Sequence, residues 1–251
     1  MTGGATADDH LLARDLATEA GRRLLALRDE VAGAGRDVVR ARGDAGSQAV
    51  LAEALAERRP GDAVLSEEAA DDPARLQAPR VWIIDPLDGT REFGESGRAD
   101  WAVHVALVVG GALVAGAVAL PARGITLSTA EPRAAAPAHG GPPRLVVSRT
   151  RPPEVCTEVA GRLGGELVPL GSAGAKAMAV VLGEADVYLH AGGQYEWDSA
   201  APVAVAAAAG LHTSRIDGSP LRYNQPSPWL PDLLICRPEL AGAVLAAVAA
   251  A

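Results

Sequence analysis

The chain has 251 residues, of which 49% are hydrophobic and 22% charged, and its formal net charge at pH 7 is −8. A chain of this length forms one large domain or two smaller ones, and either arrangement can bury a sizeable core. The acidic balance disfavours nucleic acid and anionic membrane surfaces as main partners, because both bind basic patches. A small phosphorylated ligand stays open, since a local site can carry charge opposite to that of the whole protein.

The cysteines and the N-terminal residues bear on the cellular compartment. Cys156 and Cys236 show no Cys-x-x-Cys spacing, so neither a disulfide framework nor a zinc cluster is expected. The first ten residues, MTGGATADDH, lack the basic and apolar regions of a signal peptide, and no apolar run is long enough to cross a membrane. These features predict a cytoplasmic protein.

The first half of the chain predicts helices beside antiparallel strands. Periodic leucines indicate a first helix that is capped by Asp8 or Asp9 and reaches about Val31. A second helix is expected over about 47–59, where Pro60-Gly61 follows it. Strands are expected over 63–66, 81–84, 101–109, 112–120 and 125–129, and Gly110-Gly111 is typical of a hairpin between two of them.

Segment 131–143, EPRAAAPAHGGPP, consists mostly of Pro, Gly and Ala and has little to bury, so it is predicted to be a linker. It separates an N-terminal half, 1–130, from a C-terminal half, 144–251. In the second half, strands alternate with helices, which favours a layered α/β arrangement. The expected strands are 145–148, 167–170, 186–190 and 233–236, and the expected helices are 153–163, 173–182, 199–209 and a C-terminal helix.

Two aspartates, Asp85 and Asp88, follow an apolar strand in the stretch WIIDPLDGTREF. Residues three apart in a continuous strand point to opposite faces, but Pro86 favours a sharp exit that lets both carboxylates face one site. Crowded carboxylates repel each other, and a shared proton or a hard cation such as Mg²⁺ relieves the repulsion. The alternative is a solvated turn with two unrelated acids.

Gly89 and Thr90 follow the two aspartates and are typical of a phosphate site. A helix beginning near Thr90 presents free amides and its dipole, and Gly89 allows a phosphate to approach the backbone. Glu67 in VLSEE and Asp198 in YEWDSAAP also lie where a predicted strand ends or a predicted helix begins. Taken alone, Glu67 is more simply a solvated strand end and Asp198 more simply a helix cap. Together, cation ligands beside a phosphate cradle indicate metal-assisted phosphoryl chemistry.

The stretches LSEE, DPLDGT and EWDSAAP, in this order, resemble the inositol monophosphatase superfamily of metal-dependent, lithium-sensitive phosphatases. The resemblance covers nearly the whole chain. WIIDPLDGTREF and GSAGAKAMAVVLGEADVYLHAGGQYEWDSAAPVAVAAAAG are most similar to the actinobacterial form of its CysQ branch, the 3′(2′),5′-bisphosphate nucleotidases. It implies an α/β (α+β) fold, an αβαβα sandwich with an antiparallel sheet in the N-terminal half and a mixed sheet in the C-terminal half. Homodimers are common in this family, so a homodimer is an option here.

The resemblance also implies metal ligands and catalytic residues. The implied ligands of two to three Mg²⁺ ions are Glu67, Asp85, the Leu87 carbonyl, Asp88 and Asp198. The implied catalytic residues are Asp44, Glu67 and Thr90, with Thr90 and Asp44 orienting the attacking water. Because RARGDAGSQAV lacks the family's Val-Thr, Asp44 as an ordinary acid at a helix N-terminus remains an alternative. Lithium is expected to inhibit by occupying a Mg²⁺ site.

The implied substrate-binding residues lie in both halves: Asp88, Gly89, Thr90, Ser148, Gly171, Ser172, Lys176, His190 and Asp198. Of the 23 Lys and Arg residues only Lys176 is a lysine, which agrees with a role as a compact point charge, and chance retention is the alternative. The family's SRSH is SRTR here, from Ser148 to Arg151, and His190 stands where an arginine is frequent. How the nucleotide is held is therefore left open.

The leading hypothesis is a Mg²⁺-dependent hydrolase that converts 3′-phosphoadenosine 5′-phosphate to AMP and phosphate, in sulfate assimilation. The alternative is an inositol-1-phosphate or fructose-1,6-bisphosphate phosphatase of the same superfamily. A catalytically silent regulatory homologue is the remote alternative. Degenerate members are expected to lose metal ligands first, whereas every expected carboxylate is present here.

Overall fold

The computed structural model describes residues 5–137 and 140–251, which form two five-stranded sheets and seven α-helices within those ranges. The helices are α1 Ala7–Glu30, α2 Arg36–Arg58, α3 Thr90–Phe93, α4 Glu154–Leu163, α5 Ala173–Val181, α6 Glu196–Ala208 and α7 Pro238–Ala249. The strands are β1 Ala63–Ser66, β2 Arg80–Asp88, β3 Ala102–Val109, β4 Ala112–Leu120, β5 Ile125–Ser128, β6 Arg144–Ser148, β7 Glu166–Leu170, β8 Val187–Tyr195, β9 His212–Ser214 and β10 Trp229–Cys236. None of the helices in the described ranges is long and apolar enough to cross a membrane.

The first sheet has the order β1-β2-β3-β4-β5. Strands β2 to β5 pair antiparallel as expected, and the β3–β4 hairpin turns at Gly110 and Gly111, both with positive φ. Strand β1 differs from the expected antiparallel arrangement, because it pairs with β2 in parallel. Parallel strands need a long connection, whereas a tight turn can join antiparallel ones. The long segment between β1 and β2 allows the parallel pairing. This pairing places the C-terminal end of β1 beside Ile84, next to the aspartates of β2.

The second sheet has the order β7-β6-β8-β10-β9 and is mixed, which confirms the expectation. Strands β7 and β8 pair with β6 in parallel, whereas β10 pairs antiparallel with both β8 and β9. Strand β8 ends at Tyr195, beyond the predicted end at position 190, and β10 begins at Trp229, before the predicted start at position 233. His190 therefore lies within β8 rather than at its end.

Three apolar clusters build the αβαβα layering that the resemblance implied. One cluster joins α1 and α2 to the outer face of the first sheet, and another joins α4 and α7 to the outer face of the second. The largest cluster contains side chains of both sheets together with α5 and α6, which lie between them. The two halves thus share one buried layer of helices, and the ends of β1, β2, α5 and α6 meet near it.

Glycines account for the main error in the predicted helices. Helix α2 begins at Arg36 rather than near position 47, so Asp44 lies in the middle of a helix and not at its N-terminus. A Cβ on Gly43 would lie 2.6 Å from the Phe93 ring, and one on Gly46 would lie 2.3 Å from Leu27. These glycines allow close packing of α2 instead of ending a helix. At α1 the cap is Thr6, whose hydroxyl accepts from the Asp9 amide, and not Asp8 or Asp9.

The predicted linker, 131–143, has no helix or strand over 131–137 and 140–143, and positions 138 and 139 lie outside the described residues. Its backbone is bound to the helical layer, because the amides of Ala135 and Ala136 donate to Ala209 and Val181. Arg237 donates to the carbonyl of Ala136 at 2.6 Å. The segment therefore follows the surface of the helices, and the division into halves at 131–143 stays a prediction.

Candidate active site

A bulge in β2 brings Asp85 and Asp88 to the same face of the sheet. Asp85 pairs with His104 and Asp88 with Ala102, so β2 has one residue more than β3 over this interval. The alternation of side chains shows the same shift. Trp82 and Ile84 point to the α1–α2 side, and Leu87 joins them there although an uninterrupted strand would turn it away. Pro86 therefore lies in a bulged strand, and not in the strand exit that the sequence suggested.

Asp198 completes a cluster of three aspartates from two layers. It is the third residue of α6 and accepts a 2.6 Å hydrogen bond from the Tyr195 amide, so the helix is capped at Tyr195 and not at Asp198. One carboxylate oxygen from each of Asp85, Asp88 and Asp198 lies within 4.8 Å of the other two. Burial and the neighbouring Asp88 charge raise the pKa of Asp198 to about 6. The negative charge of the three carboxylates is therefore not fully compensated by neighbouring positive groups.

Glu67 contacts this cluster through Asp85. It follows β1 directly, and although the residue as a whole is exposed, its carboxyl is hydrogen-bonded to that of Asp85. Burial and the charge of Glu67 raise the pKa of Asp85 well above its usual value. Burial and the charge of Asp198 raise the pKa of Glu67 to about 7. A proton shared between Glu67 and Asp85 is the expected state of such a pair without a cation.

Asp88 is held by α5 and by a histidine that the sequence analysis missed. Its two oxygens accept from the amides of Ala173 at 3.1 Å and Gly174 at 2.6 Å. His104 is fully buried, and its Nε2 lies 3.1 Å from Asp88 Oδ2, off the direction of a good hydrogen bond. Burial acts to raise the pKa of Asp88, but the charge of His104 and the Gly174 amide hold it below its usual value.

His104 also bonds to the backbone next to Asp198. Its Nδ1 lies 3.0 Å from the Trp197 carbonyl and donates to it, since a carbonyl only accepts. Burial acts to lower the pKa of His104, but the Asp88 carboxylate raises it above its usual value. A single histidine in the otherwise apolar strand AVHVALVV was the signal that could have identified this residue.

Asp44 and Thr90 lie next to each other and close to the Leu87 carbonyl, between the two aspartates of β2. Thr90 Oγ1 lies 3.4 Å from Asp44 Oδ1 and 3.2 Å from the Leu87 carbonyl. Burial and the charge of Glu68 raise the pKa of Asp44 to about 6. Helix α2 therefore brings Asp44 to the residues that the resemblance placed beside it. The carbonyl of Leu87 accepts from Thr90 here, and its role as a metal ligand stays a prediction.

A cavity of about 460 Å³ opens in front of Asp88 and Asp198. It is lined by all nine predicted substrate-binding residues: Asp88, Gly89, Thr90, Ser148, Gly171, Ser172, Lys176, His190 and Asp198. The backbone at Gly89 is tightly enclosed, with φ of 86°, and a Cβ there would lie 2.8 Å from Ser172 Cβ. The cavity therefore lies between the end of β2 and α3 on one side and α5, β8 and the start of α6 on the other, with Asp88 and Asp198 in its wall.

Three of these residues are bonded to the protein's own backbone. Lys176 is only 5% exposed, and its ammonium donates to the carbonyls of Gly171 and Ser172. His190 Nε2 donates to the Gly193 carbonyl at 2.9 Å, and burial lowers the pKa of His190. Ser148 Oγ accepts from the Arg151 amide at 3.2 Å. Their contacts with a substrate stay predictions.

The sequence and the fold agree with those of known phosphatases. The profile of the inositol monophosphatase family matches residues 16–250. The chain belongs to the inositol monophosphatase family. A 3′-phosphoadenosine 5′-phosphate phosphatase of Mycobacterium leprae is 54% identical, with 96% of this chain and 93% of that protein covered. The 3′(2′),5′-bisphosphate nucleotidase CysQ of Escherichia coli is 33% identical over 72% of this chain and 78% of its own length. Inositol monophosphatase-II of Staphylococcus aureus has the same fold, with a TM-score of 0.77, 19% identity and coverage of 93% of this chain and 92% of that one.

In this member of the family, the cavity is also lined by three arginines that were not among the predicted site residues: Arg91, Arg149 and Arg151. Arg149 is already paired with Glu92 at 2.6 Å and Glu95 at 2.8 Å. Arg91 and Arg151 are exposed and make no ion pair with any of the described residues. These two side chains provide positive charge at the cavity mouth, opposite in sign to the whole chain.

A buried ion network connects the loop after Glu67 with the start of α6. Arg75 is 1% exposed and donates to Asp71 at 2.6 and 2.9 Å, to Asn224 Oδ1 at 2.7 Å and to the Gln225 carbonyl at 3.0 Å. Glu196 in turn accepts from the amides of Asn224 and Gln225. Asn224 has φ of 58°, a left-handed conformation that its surroundings must stabilise. The network therefore fixes the segment after Glu67 relative to the helix that carries Asp198.

Proposed function

We propose that this protein hydrolyses the phosphate monoester of 3′-phosphoadenosine 5′-phosphate to AMP and inorganic phosphate, with Mg²⁺ as its cofactor. The observation that carries the proposal is the cluster of Asp85, Asp88 and Asp198, two of which, Asp88 and Asp198, line a cavity that the exposed Arg91 and Arg151 also line. The names of the mycobacterial and E. coli relatives support the choice of substrate.

The donor set fits a hard divalent cation. Carboxylate oxygens are the ligands that Mg²⁺ prefers, and the raised pKa values at Glu67, Asp85 and Asp198 show that negative charge is uncompensated there. Glu67, Asp85, Asp88, Asp198 and the Leu87 carbonyl would hold two to three ions. When bound, Mg²⁺ would neutralise phosphate charge and lower the pKa of water.

Asp44 and Thr90 are placed to hold the water that attacks phosphorus. With a pKa of about 6, the Asp44 carboxyl is mostly ionised at pH 7 and can accept a proton at Oδ1. Thr90 Oγ1, between Asp44 and the Leu87 carbonyl, fixes the direction of the water. Glu67 is the third catalytic residue of the proposal and would act through the ions that it helps to hold. As the water oxygen bonds to phosphorus, the ester bond to the ribose 3′-oxygen breaks, and that oxygen takes up a proton.

The proposal is tested with parallel turnover assays in Mg²⁺. We expect kcat/KM for 3′-phosphoadenosine 5′-phosphate to exceed that for inositol-1-phosphate and fructose-1,6-bisphosphate, and millimolar lithium to inhibit. A preference for inositol-1-phosphate would instead support the alternative from the same family. No turnover of any of the three with Mg²⁺ would support a silent homologue.

Asp88→Asn tests the role of the carboxylate cluster. This substitution keeps the shape of the side chain but removes one ligand charge, so we expect turnover to be lost while the far-ultraviolet circular dichroism is unchanged. Retained turnover would reject the metal assignment.

A further inference from the structure

Three aromatic side chains form a group beside the cavity. Tyr195 stacks on Trp197 with ring centroids 4.7 Å apart and planes 10° apart, and Trp229 meets Tyr195 edge to face at 5.5 Å. Tyr195 is 42% exposed and Trp229 is 50% exposed, and both line the cavity. Large aromatic surfaces left open to solvent at a cavity wall are typical of a binding surface.

The backbone beneath Trp229 is shaped to accept the indole. A Cβ on Gly193 would lie 1.8 Å from Trp229 Cη2 and 1.9 Å from Cζ2, so only glycine allows the ring to lie there. Gly193 also has φ of 89°, which other residues rarely adopt. Its carbonyl is held by His190 at 2.9 Å. Trp229 is therefore seated on a fixed piece of β8 while half of its surface stays accessible.

We propose that Trp229 and Tyr195 form the binding site for the adenine ring of the substrate. This inference rests on the proposed function and adds how the base is recognised. Aromatic side chains stack on the face of a base, whichever base it is. The Tyr195 amide donates to Asp198 at 2.6 Å, so the base site adjoins the carboxylate cluster where the 3′-phosphate would react.

Trp229→Ala and Trp229→Phe test the site, with Leu11→Ala as the control. Leu11 is 40% exposed on α1 and does not line the cavity, so its truncation removes exposed apolar surface elsewhere. The substrates are 3′-phosphoadenosine 5′-phosphate and methyl ribofuranoside 3,5-bisphosphate, which carries both phosphates but no base. Melting temperatures show whether each variant is folded.

For Trp229→Ala we expect KM for the nucleotide to rise about tenfold or more, as for the loss of one stacked base, with kcat within about twofold. KM for the base-free bisphosphate stays unchanged, and Trp229→Phe restores most of the nucleotide affinity. Equal effects on both substrates, or no change in KM for the nucleotide, would overturn the inference.

Binding of AMP separates this inference from the proposed function. In isothermal titrations with Mg²⁺, we expect AMP to bind more tightly than ribose 5-phosphate to the unaltered protein, and Trp229→Ala to abolish the difference. A protein that does not hydrolyse the nucleotide but shows this difference would refute the proposed function and retain the base site. A protein that hydrolyses it but binds both ligands equally would refute the base site alone.

Discussion

Gly174→Ala is expected to damage both stability and turnover, although alanine is the better helix former. Gly174 is the second residue of α5, and its amide donates to Asp88 Oδ2 at 2.6 Å. A Cβ there would lie 2.2 Å from His104 Nε2, 2.9 Å from Ala102 Cβ and 3.2 Å from Asp88 Oδ2. Because His104 is fully buried and bonded to the Trp197 carbonyl, the ring cannot move aside freely.

The size of the effect follows from these distances. Ordinary contacts of a Cβ begin at 3.4 Å, so α5 or the His104 ring must move by about 1 Å. Inserting a methyl group into such a packed site destabilises by about 1–3 kcal/mol, against a gain of about 1 kcal/mol from helix propensity. A shift of about 1 Å in a catalytic group lowers the rate by about 100-fold, and the amides that hold Asp88 shift with α5.

Gly161→Ala is the matched control for this substitution. Gly161 lies inside α4, and a Cβ there would have no atom within 4 Å. We expect this variant to gain about 0.5–1 kcal/mol and to keep its turnover. Urea unfolding and kcat/KM are measured for both variants. A Gly174→Ala protein as stable and active as Gly161→Ala would refute the packing of α5 against His104 and Asp88.

Three further predictions concern the site and its support. Arg75→Leu leaves Asn224 Oδ1 and the Gln225 carbonyl without their donor, so it is expected to destabilise by about 1–3 kcal/mol and to weaken Mg²⁺ binding in a titration. Arg23→Leu breaks an exposed pair and is expected to change stability by less than about 1 kcal/mol; equal effects would contradict the network. Asp44→Asn is expected to lower kcat by about 10²–10⁴-fold. It is also expected to remove the acid limb of the pH–rate profile near pH 6, because only the ionised carboxyl accepts a proton. An unchanged acid limb would show that another group is responsible for it. In chelator, the melting temperature is expected to fall as pH rises from about 5 to 8, since Glu67 and Asp198 hold protons in the folded state that the unfolded chain has lost. Added Mg²⁺ is expected to raise the melting temperature more at pH 8 than at pH 5. A melting temperature that rises with pH in chelator would exclude raised pKa values for Glu67 and Asp198.

The fold and the carboxylate cluster were largely predictable from short motifs. Strand β2 is recognisable because its apolar run is buried on both faces, and Asp85 and Asp88 interrupt it with charges that a core does not tolerate alone. Thr90 begins α3 as expected, and Asp198 lies in the first turn of α6. These features depend on neighbouring residues in the chain, and so the sequence is sufficient to recognise them.

The helix bounds were harder to predict, because a glycine has two opposite meanings. Gly43 and Gly46 indicate a helix break when only propensity is considered, yet they lie inside α2 against Phe93 and Leu27. Their contacts are with residues far away in the chain. Asp44 consequently had two interpretations from the sequence, and only the continuous helix places it beside Thr90.

The sequence by itself therefore determined the family, the layered fold and the acids that make up the reactive cluster, because spacing and residue type carry that information locally. The tertiary structure alone decided how those acids meet. It placed Asp85 and Asp88 on one face through a bulge, set the buried His104 behind Asp88, and joined the loop after Glu67 to α6 through Arg75. It also placed Trp229 over Gly193 beside the cavity. Each of these arrangements depends on contacts between distant segments, whose energies come from packing and burial rather than from local residue preference.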